Sequence, residues 1–310
     1  MYWPYLRNRM NEVFAIKELA PGIASTGLVV PIFQLIAIDT DFINRAKGIA
    51  KLGQRFCLLV NAYQAVSIGS AEALIERIDA DYPGIVLPGI EIKADTPAVE
   101  VVNFTAKYSA RRCVIVHRDG WIGGNIHAHL AGFSVAPVHI YMASALPGAP
   151  APILSAGKVI LTDGFVRQLT NGAYPARSYF NNYATSYSGA GYNGFGDFGP
   201  VGDFYRVGGG QASHVALHLT QFIQEGLVCN HFVSSGTPIT SHIHVKYDDA
   251  LKQLRAYALP SISGFSTRGV ADYHQPHSYP GLGMPKRWSI KHHTELMVDF
   301  LVAQKVVPFI

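Results

Sequence analysis

Asp163 is the residue whose type and setting most suggest chemistry. It opens the run Asp163-Gly164-Phe165-Val166-Arg167 directly after the apolar stretch Val159–Thr162. A carboxylate at the end of a strand can act as acid, base or orienting group, and the guanidinium four residues on can clamp an anion. Two other strand-like runs end in polar side chains: Asn61 follows Leu58-Leu59-Val60, and His117-Arg118-Asp119 follows Val114-Ile115-Val116. Such groups are costly to bury unless water, a ligand or a partner meets them; the plain alternative is a loop whose side chains cap the next helix. His231 lies on one of two facing runs, and the other carries His214 and His218 on one side because strand side chains alternate with period two. His117 and His231 are therefore candidate proton carriers.

Other groupings carry less. His127-Ala128-His129 falls in a helical stretch, where neighbours two apart diverge by about 200°, and His242-Ile243-His244 precedes a late helix. No metal-ligand set is expected, because further ligands at other strand ends are lacking, and no cofactor is indicated. Gly189-Ala190-Gly191-Tyr192-Asn193-Gly194 matches G-x-G-x-x-G, yet no strand precedes it and no helix follows. Glu91-Ile92-Lys93, ten residues after Asp81, has the spacing of a nuclease D…E-x-K pattern without a hairpin or partner carboxylate.

These residues need a scaffold, and residues 27–165 supply one. Short β-branched runs (Leu28–Ala37, Phe56–Ala62, Gly84–Ile92, Cys113–His117, Val138–Met142, Val159–Thr162) alternate with helical stretches Thr40–Leu52, Ser70–Ala80 and Ala98–Arg111. That rhythm predicts parallel strands joined by crossover helices. Regular spacing and length favour a closed TIM-barrel-like (β/α) barrel over an open doubly wound sheet, and no glycine fingerprint follows the first strand. Residues 170–210, rich in Tyr and Gly, show neither period and read as a loop insertion over the barrel mouth. Ser213–Gln221 and Leu227–Ser234 read as a hairpin. Helices are expected at Val245–Ala258 and Lys286–Ala303 within an irregular C-terminal half, the whole of 1–310 forming one α/β domain.

With 49% hydrophobic and 15% charged residues the chain can fill a large core, so disorder is not expected. The apolar run Gly27–Ile38 is too short for a membrane span, the N-terminal segment lacks a signal-peptide core, and three cysteines are an odd number. A cytoplasmic setting without membrane association is expected. The formal charge of +4 is scattered, giving nucleic-acid binding only weak support.

Several segments together resemble the uncharacterised beta-protein family of phages and prophage regions. They are Met1-Tyr2-Trp3-Pro4-Tyr5-Leu6-Arg7, Asp163-Gly164-Phe165 with Asn171-Gly172-Ala173-Tyr174-Pro175, Gly194-Phe195-Gly196-Asp197-Phe198, His231-Phe232-Val233-Ser234, Pro280-Gly281-Leu282-Gly283 and the Lys286–Met297 helix. The resemblance spans nearly the whole chain. It implies a barrel-like α/β fold and association with mobile elements, in phage defence or inter-phage competition, and it draws Asn171, Tyr174 and Asp197 into the candidate site beside Asp163, Arg167 and His231. One departure stands out: where the family's first strand often ends Ile-Glu-Pro-Val, this chain has Phe33-Gln34-Leu35-Ile36, and Gln34 cannot serve as acid or base.

The expected site is a polar pocket at the barrel mouth, of hydrolase type, sought between Asp163 and Arg206. Asp163, Arg167, His117 and His231 would be its catalytic groups, and Asn61, Asn171, Tyr174, Asp197 and Arg206 its substrate contacts. Two other readings stay open. The Tyr/Gly-rich segment could grip a partner protein or single-stranded nucleic acid, or the chain could be a homo-oligomeric subunit of a phage-related assembly.

Overall fold

The computed structural model describes residues 1–121, 125–144, 154–205, 213–235 and 242–310, and of His127 the backbone only. Arg206 lies outside the described residues. The described chain divides into two compact units: Met1–Thr162, Ser186–Asp197 and Gln304–Ile310 form the first, and Asp163–Thr185 and Phe198–Ala303 the second.

The first unit is a parallel barrel of eight strands: β1 (Tyr5–Arg7), β2 (Ile32–Gln34), β3 (Phe56–Leu59), β4 (Val86–Ile92), β5 (Val114–His117), β6 (Val138–Met142), β7 (Gly157–Thr162) and β9 (Gly194–Asp197). Between strands run α1 (Met10–Ile23), α2 (Thr40–Lys51), α3 (Ile68–Asp79), α4 (Ala98–Tyr108) and the short α5 (Ile126–Leu130). The sheet returns on itself through a parallel bridge between Tyr2 and Phe195, with Trp3 N–H donating to the Phe195 carbonyl at 2.9 Å. The TIM-like (β/α) barrel follows directly from the alternation of β-branched runs with amphipathic helices. Helix starts are locally encoded as well. Asp39 accepts from the Phe42 N–H and Ser67 from the Ser70 N–H, each satisfying an otherwise orphaned donor.

Two barrel strands depart from the sequence expectation. β1 falls within the N-terminal signature, so Val159–Thr162 belongs to the seventh strand rather than the sixth. β9 falls inside the stretch expected as loop, where Gly194 and Gly196 argue against a strand. Those glycines are needed because the chain passes close by: a Cβ on Gly196 would lie 2.2 Å from the Trp3 carbonyl oxygen, and one on Gly194 2.6 Å from that of Met1. Close backbone approach has overridden propensity.

Register fixes which side chains face inward. Tyr5, Ile32, Cys57 and Leu87 are paired across neighbouring strands, as are Arg7, Gln34, Leu59 and Gly89, and Glu91 pairs with Val116. Paired residues in a sheet share a face, and period two puts Tyr5, Arg7, Gln34 and Glu91 on that same face. Phe33 and Phe56 lie on the opposite one, where Phe33 meets Phe42 of α2 edge to face at 6.4 Å, so the Glu91 face is the barrel interior.

The second unit is built on an antiparallel sheet with β11 (Gly226–Val233) between β10 (Ala216–Ile223) and β8 (Arg177–Asn181). The hairpin expected at 213–234 is therefore present, and β8, like β9, falls in the stretch expected as loop. Helices α7 (Ile243–Tyr257), α8 (Arg268–His274) and α9 (Gly283–Ala303) supply the remaining core, with Leu217, Leu219 and Phe232 packed among Tyr247, Leu254 and Tyr273. A short helix, α6 (Tyr183–Ser186), precedes β9. No helix among the described residues is long and apolar enough to cross a membrane. Cys57, Cys113 and Cys229 are buried free thiols.

Candidate active site and a histidine cluster

At the carboxyl end of the barrel strands a charged cluster centres on Glu91, which is 1% exposed. The Tyr5 hydroxyl donates to Glu91 Oε1 at 2.8 Å, Lys93 Nζ lies 3.1 Å from Oε2, and an Arg118 guanidinium nitrogen lies 3.7 Å from Oε1. The Arg118 guanidinium also stands 5.8 Å from the Tyr5 ring centroid. Asn61 fixes this strand end through its amide, accepting from the Glu91 N–H at 2.8 Å and donating to the Glu91 carbonyl at 3.0 Å. The Gln34 amide and Lys93 Nζ both donate to the Ala62 carbonyl. The arrangement places one buried carboxylate beside two cations and a phenol at the end of a parallel barrel where such folds carry their sites. Burial, followed by the neighbouring Glu91 charge, pushes the Tyr5 phenol well above its ordinary range, so it serves as a fixed hydrogen-bond donor.

The sequence-derived candidates separate. Asn61 belongs to the Glu91 cluster. His117, expected on the barrel rim, is paired in register with Tyr141 on the outward face, opposite Val116 and Glu91. There it hydrogen-bonds His139 through Nε2 at 2.9 Å and stacks on Tyr141 at 4.4 Å, with His139 joined to the Leu154 carbonyl at 3.1 Å. Asp197 shares that outward face with Phe195 and accepts from the Tyr2 hydroxyl at 2.8 Å. In both cases the alternation of the strand turns the side chain away from the interior.

Asp163, Arg167, Asn171, Tyr174 and His231 lie in the second unit. Asp163 holds backbone together: its oxygens accept from the N–H groups of Phe165 at 3.1 Å and Asp203 at 2.9 Å. The Arg167 guanidinium sits 3.3 Å from the centroid of the Phe204 ring. Asn171 donates to the His214 carbonyl at 2.8 Å.

Tyr174 and His231 do come together, in a second cluster. His218 and His231 are directly opposed on β10 and β11, their Nδ1 atoms 2.8 Å apart. Cys229, two residues before His231 and thus on its face, has Sγ 3.9 Å from His231 Nδ1. Ser178 Oγ lies 2.8 Å from His231 Nε2. Tyr174 caps the group with its ring 4.8 Å from each imidazole. Among the described residues, the ligand atoms of His218, Cys229 and His231 all lie within 4.8 Å of one another. Burial holds both imidazoles in their neutral form, lowering His218 to about 3, with help from His231 and Lys286, and His231 to about 4. Burial also pushes the Cys229 thiol upward.

Sequence reasoning did not single out Tyr5 as a site residue, set the Glu91-Ile92-Lys93 pattern aside, and named Arg118 only within the polar run His117-Arg118-Asp119. The available signals were the Glu91-Ile92-Lys93 spacing, which places two charges on one face of a strand end, and Tyr5 within the N-terminal signature. Comparison with known proteins adds no assignment: no family model, no curated protein and no solved structure matches this chain.

Proposed function

We propose that the protein is an enzyme acting on a small anionic substrate at the carboxyl end of its barrel. Glu91 accepts a proton from water or from a substrate hydroxyl, Lys93 and Arg118 hold a phosphate or carboxylate group, and Tyr5 orients Glu91. The observation that carries this reading is the burial of Glu91 with two cations and a phenol converging on it from three different strands or strand ends. A charged cluster of this kind is costly to bury, and active sites are where such costs are met. Hydrolysis is the reaction type that suits a carboxylate base beside an anion clamp.

The biological setting we propose is that implied by the resemblance to the beta-protein family: mobile elements, with a role in phage defence or inter-phage competition. Inorganic phosphate, phosphomonoesters and short carboxylates are screened for a rise in thermal midpoint of the full chain. At least one is expected to stabilise the wild type and to lose that effect in Arg118→Gln. No shift from any anion at millimolar concentration would overturn the reading. Glu91→Gln is then expected to abolish any phage-restriction phenotype while retaining anion binding.

A further inference from the structure

The second unit offers chemistry that the barrel site does not use. We propose that His218, Cys229 and His231 form a transition-metal site of the class that takes Zn²⁺, with a fourth position left to water or an exogenous ligand.

The sheet makes the site. β10 and β11 place His218 opposite His231, and period two adds Cys229 on the same face, so three donors from two adjacent strands converge without any loop having to fold around them. With Zn–N near 2.0–2.1 Å and Zn–S near 2.3 Å, tetrahedral coordination requires roughly 3.4 Å between nitrogens and roughly 3.6 Å between nitrogen and sulfur. Two of the three donor separations, 2.8 Å between the two Nδ1 atoms and 3.9 Å from His231 Nδ1 to Sγ, fall on either side of those values, and all three donors lie within 4.8 Å of one another, so side-chain rotations are needed to bring them around one ion. Two imidazoles with one sulfur is a donor set that selects borderline and soft metals over Mg²⁺ or Ca²⁺.

The surroundings fit a ligand set. Ser178 faces His231 Nε2, the atom that must carry the proton once Nδ1 is a ligand; it becomes the acceptor that fixes the tautomer. Phe165 and Tyr174 wall the site, with ring centroids 5.0 Å and 4.8 Å from His218. Binding balances as Zn²⁺ plus the Cys229 thiol giving a Zn–thiolate and one released proton. The imidazole whose Nδ1 carries the shared proton moves it to Nε2.

The test uses the full chain stripped with a chelator and titrated with Co²⁺ alone. One equivalent is expected to produce an intense thiolate-to-Co²⁺ charge-transfer absorption together with the visible bands of a four-coordinate ion, both removed by stoichiometric Zn²⁺. Cys229→Ser should eliminate the charge-transfer absorption, and Ser178→Ala should weaken binding by 10- to 100-fold, on the order expected for loss of a group that orients a ligand. His244→Gln, altering the His242/His244 pair elsewhere in the unit, should change nothing. A wild-type titration without charge-transfer absorption, retention of the band in Cys229→Ser, or its loss in His244→Gln would each overturn the assignment. Because the wild-type titration decides by itself, a variant that does not fold leaves the test intact.

Discussion

The Tyr5 hydroxyl donates to the Glu91 carboxylate at 2.8 Å across 86 residues of chain, joining β1 to β4, two strands that are not neighbours in the sheet. Only residues pointing into the barrel can meet this way. The contact therefore both defines the interior and anchors its buried carboxylate.

Removing that donor is expected to cost stability as well as function. Tyr5→Phe leaves Glu91 with one fewer hydrogen bond in a buried setting, a loss of about 1–3 kcal/mol. Urea denaturation of wild type and variant measures it. A change below about 0.5 kcal/mol would show that Lys93 and Arg118 alone satisfy the carboxylate.

Glycine substitutions should divide sharply. Gly196→Ala places a Cβ 2.2 Å from the Trp3 carbonyl oxygen, which backbone cannot evade, and the last barrel strand should fail to close. Gly69 lies in α3 with nothing within 4 Å of an added Cβ, so Gly69→Ala should stabilise by about 0.5–1 kcal/mol through helix propensity. Thermal melts of the two variants would move in opposite directions.

His292 should make the second unit acid-sensitive. It is fully buried on α9, with Nδ1 accepting from the Thr267 hydroxyl at 2.9 Å and Nε2 donating to the Thr220 carbonyl at 2.7 Å. Burial, aided by His293, lowers its pKa from 6.5 to about 4, so the unfolded chain takes up this proton before the folded one does. Stability is therefore lost as pH falls from about 6.5 to about 4, and levels off below; this single group contributes on the order of 3 kcal/mol. Comparing denaturant midpoints of wild type and His292→Gln at pH 7 and pH 4.5 checks it. The variant should show the smaller loss on acidification.

The cap of α2 supplies a local test. Asp39 accepts from the Phe42 N–H at 2.6 Å, and Asp39→Ala should cost about 1 kcal/mol, read as a lowered denaturant midpoint with an unchanged slope. Loss of several kcal/mol instead would mean that α2 depends on this residue for more than its first turn.

Much of the scaffold was written in local pattern. β2 through β7, the helices α2, α3 and α4 between them, the 216–233 hairpin, α7 and α9 are all expected from hydrophobic pattern and from caps such as Asp39, because burial of a face demands that pattern wherever the element lies, whereas α8 is not. β1 and β9 were not legible. Tyr5-Leu6-Arg7 contains no β-branched residue to mark it as a strand, and Gly194 and Gly196 are chosen for the proximity of Met1 and Trp3, which are their neighbours only in the closed barrel.

The sites divide in the same way. Sequence alone determined that polar and titratable side chains end several strands and that His218 and His231 stand on facing runs. Only the tertiary structure decided which of them meet. Parity within a strand sent His117 and Asp197 outward while Glu91 turned inward, a distinction of one residue that register sets and composition does not. Closure of the barrel then brought Tyr5 to Glu91, since a contact between non-adjacent strands exists only once the sheet has curved back on itself.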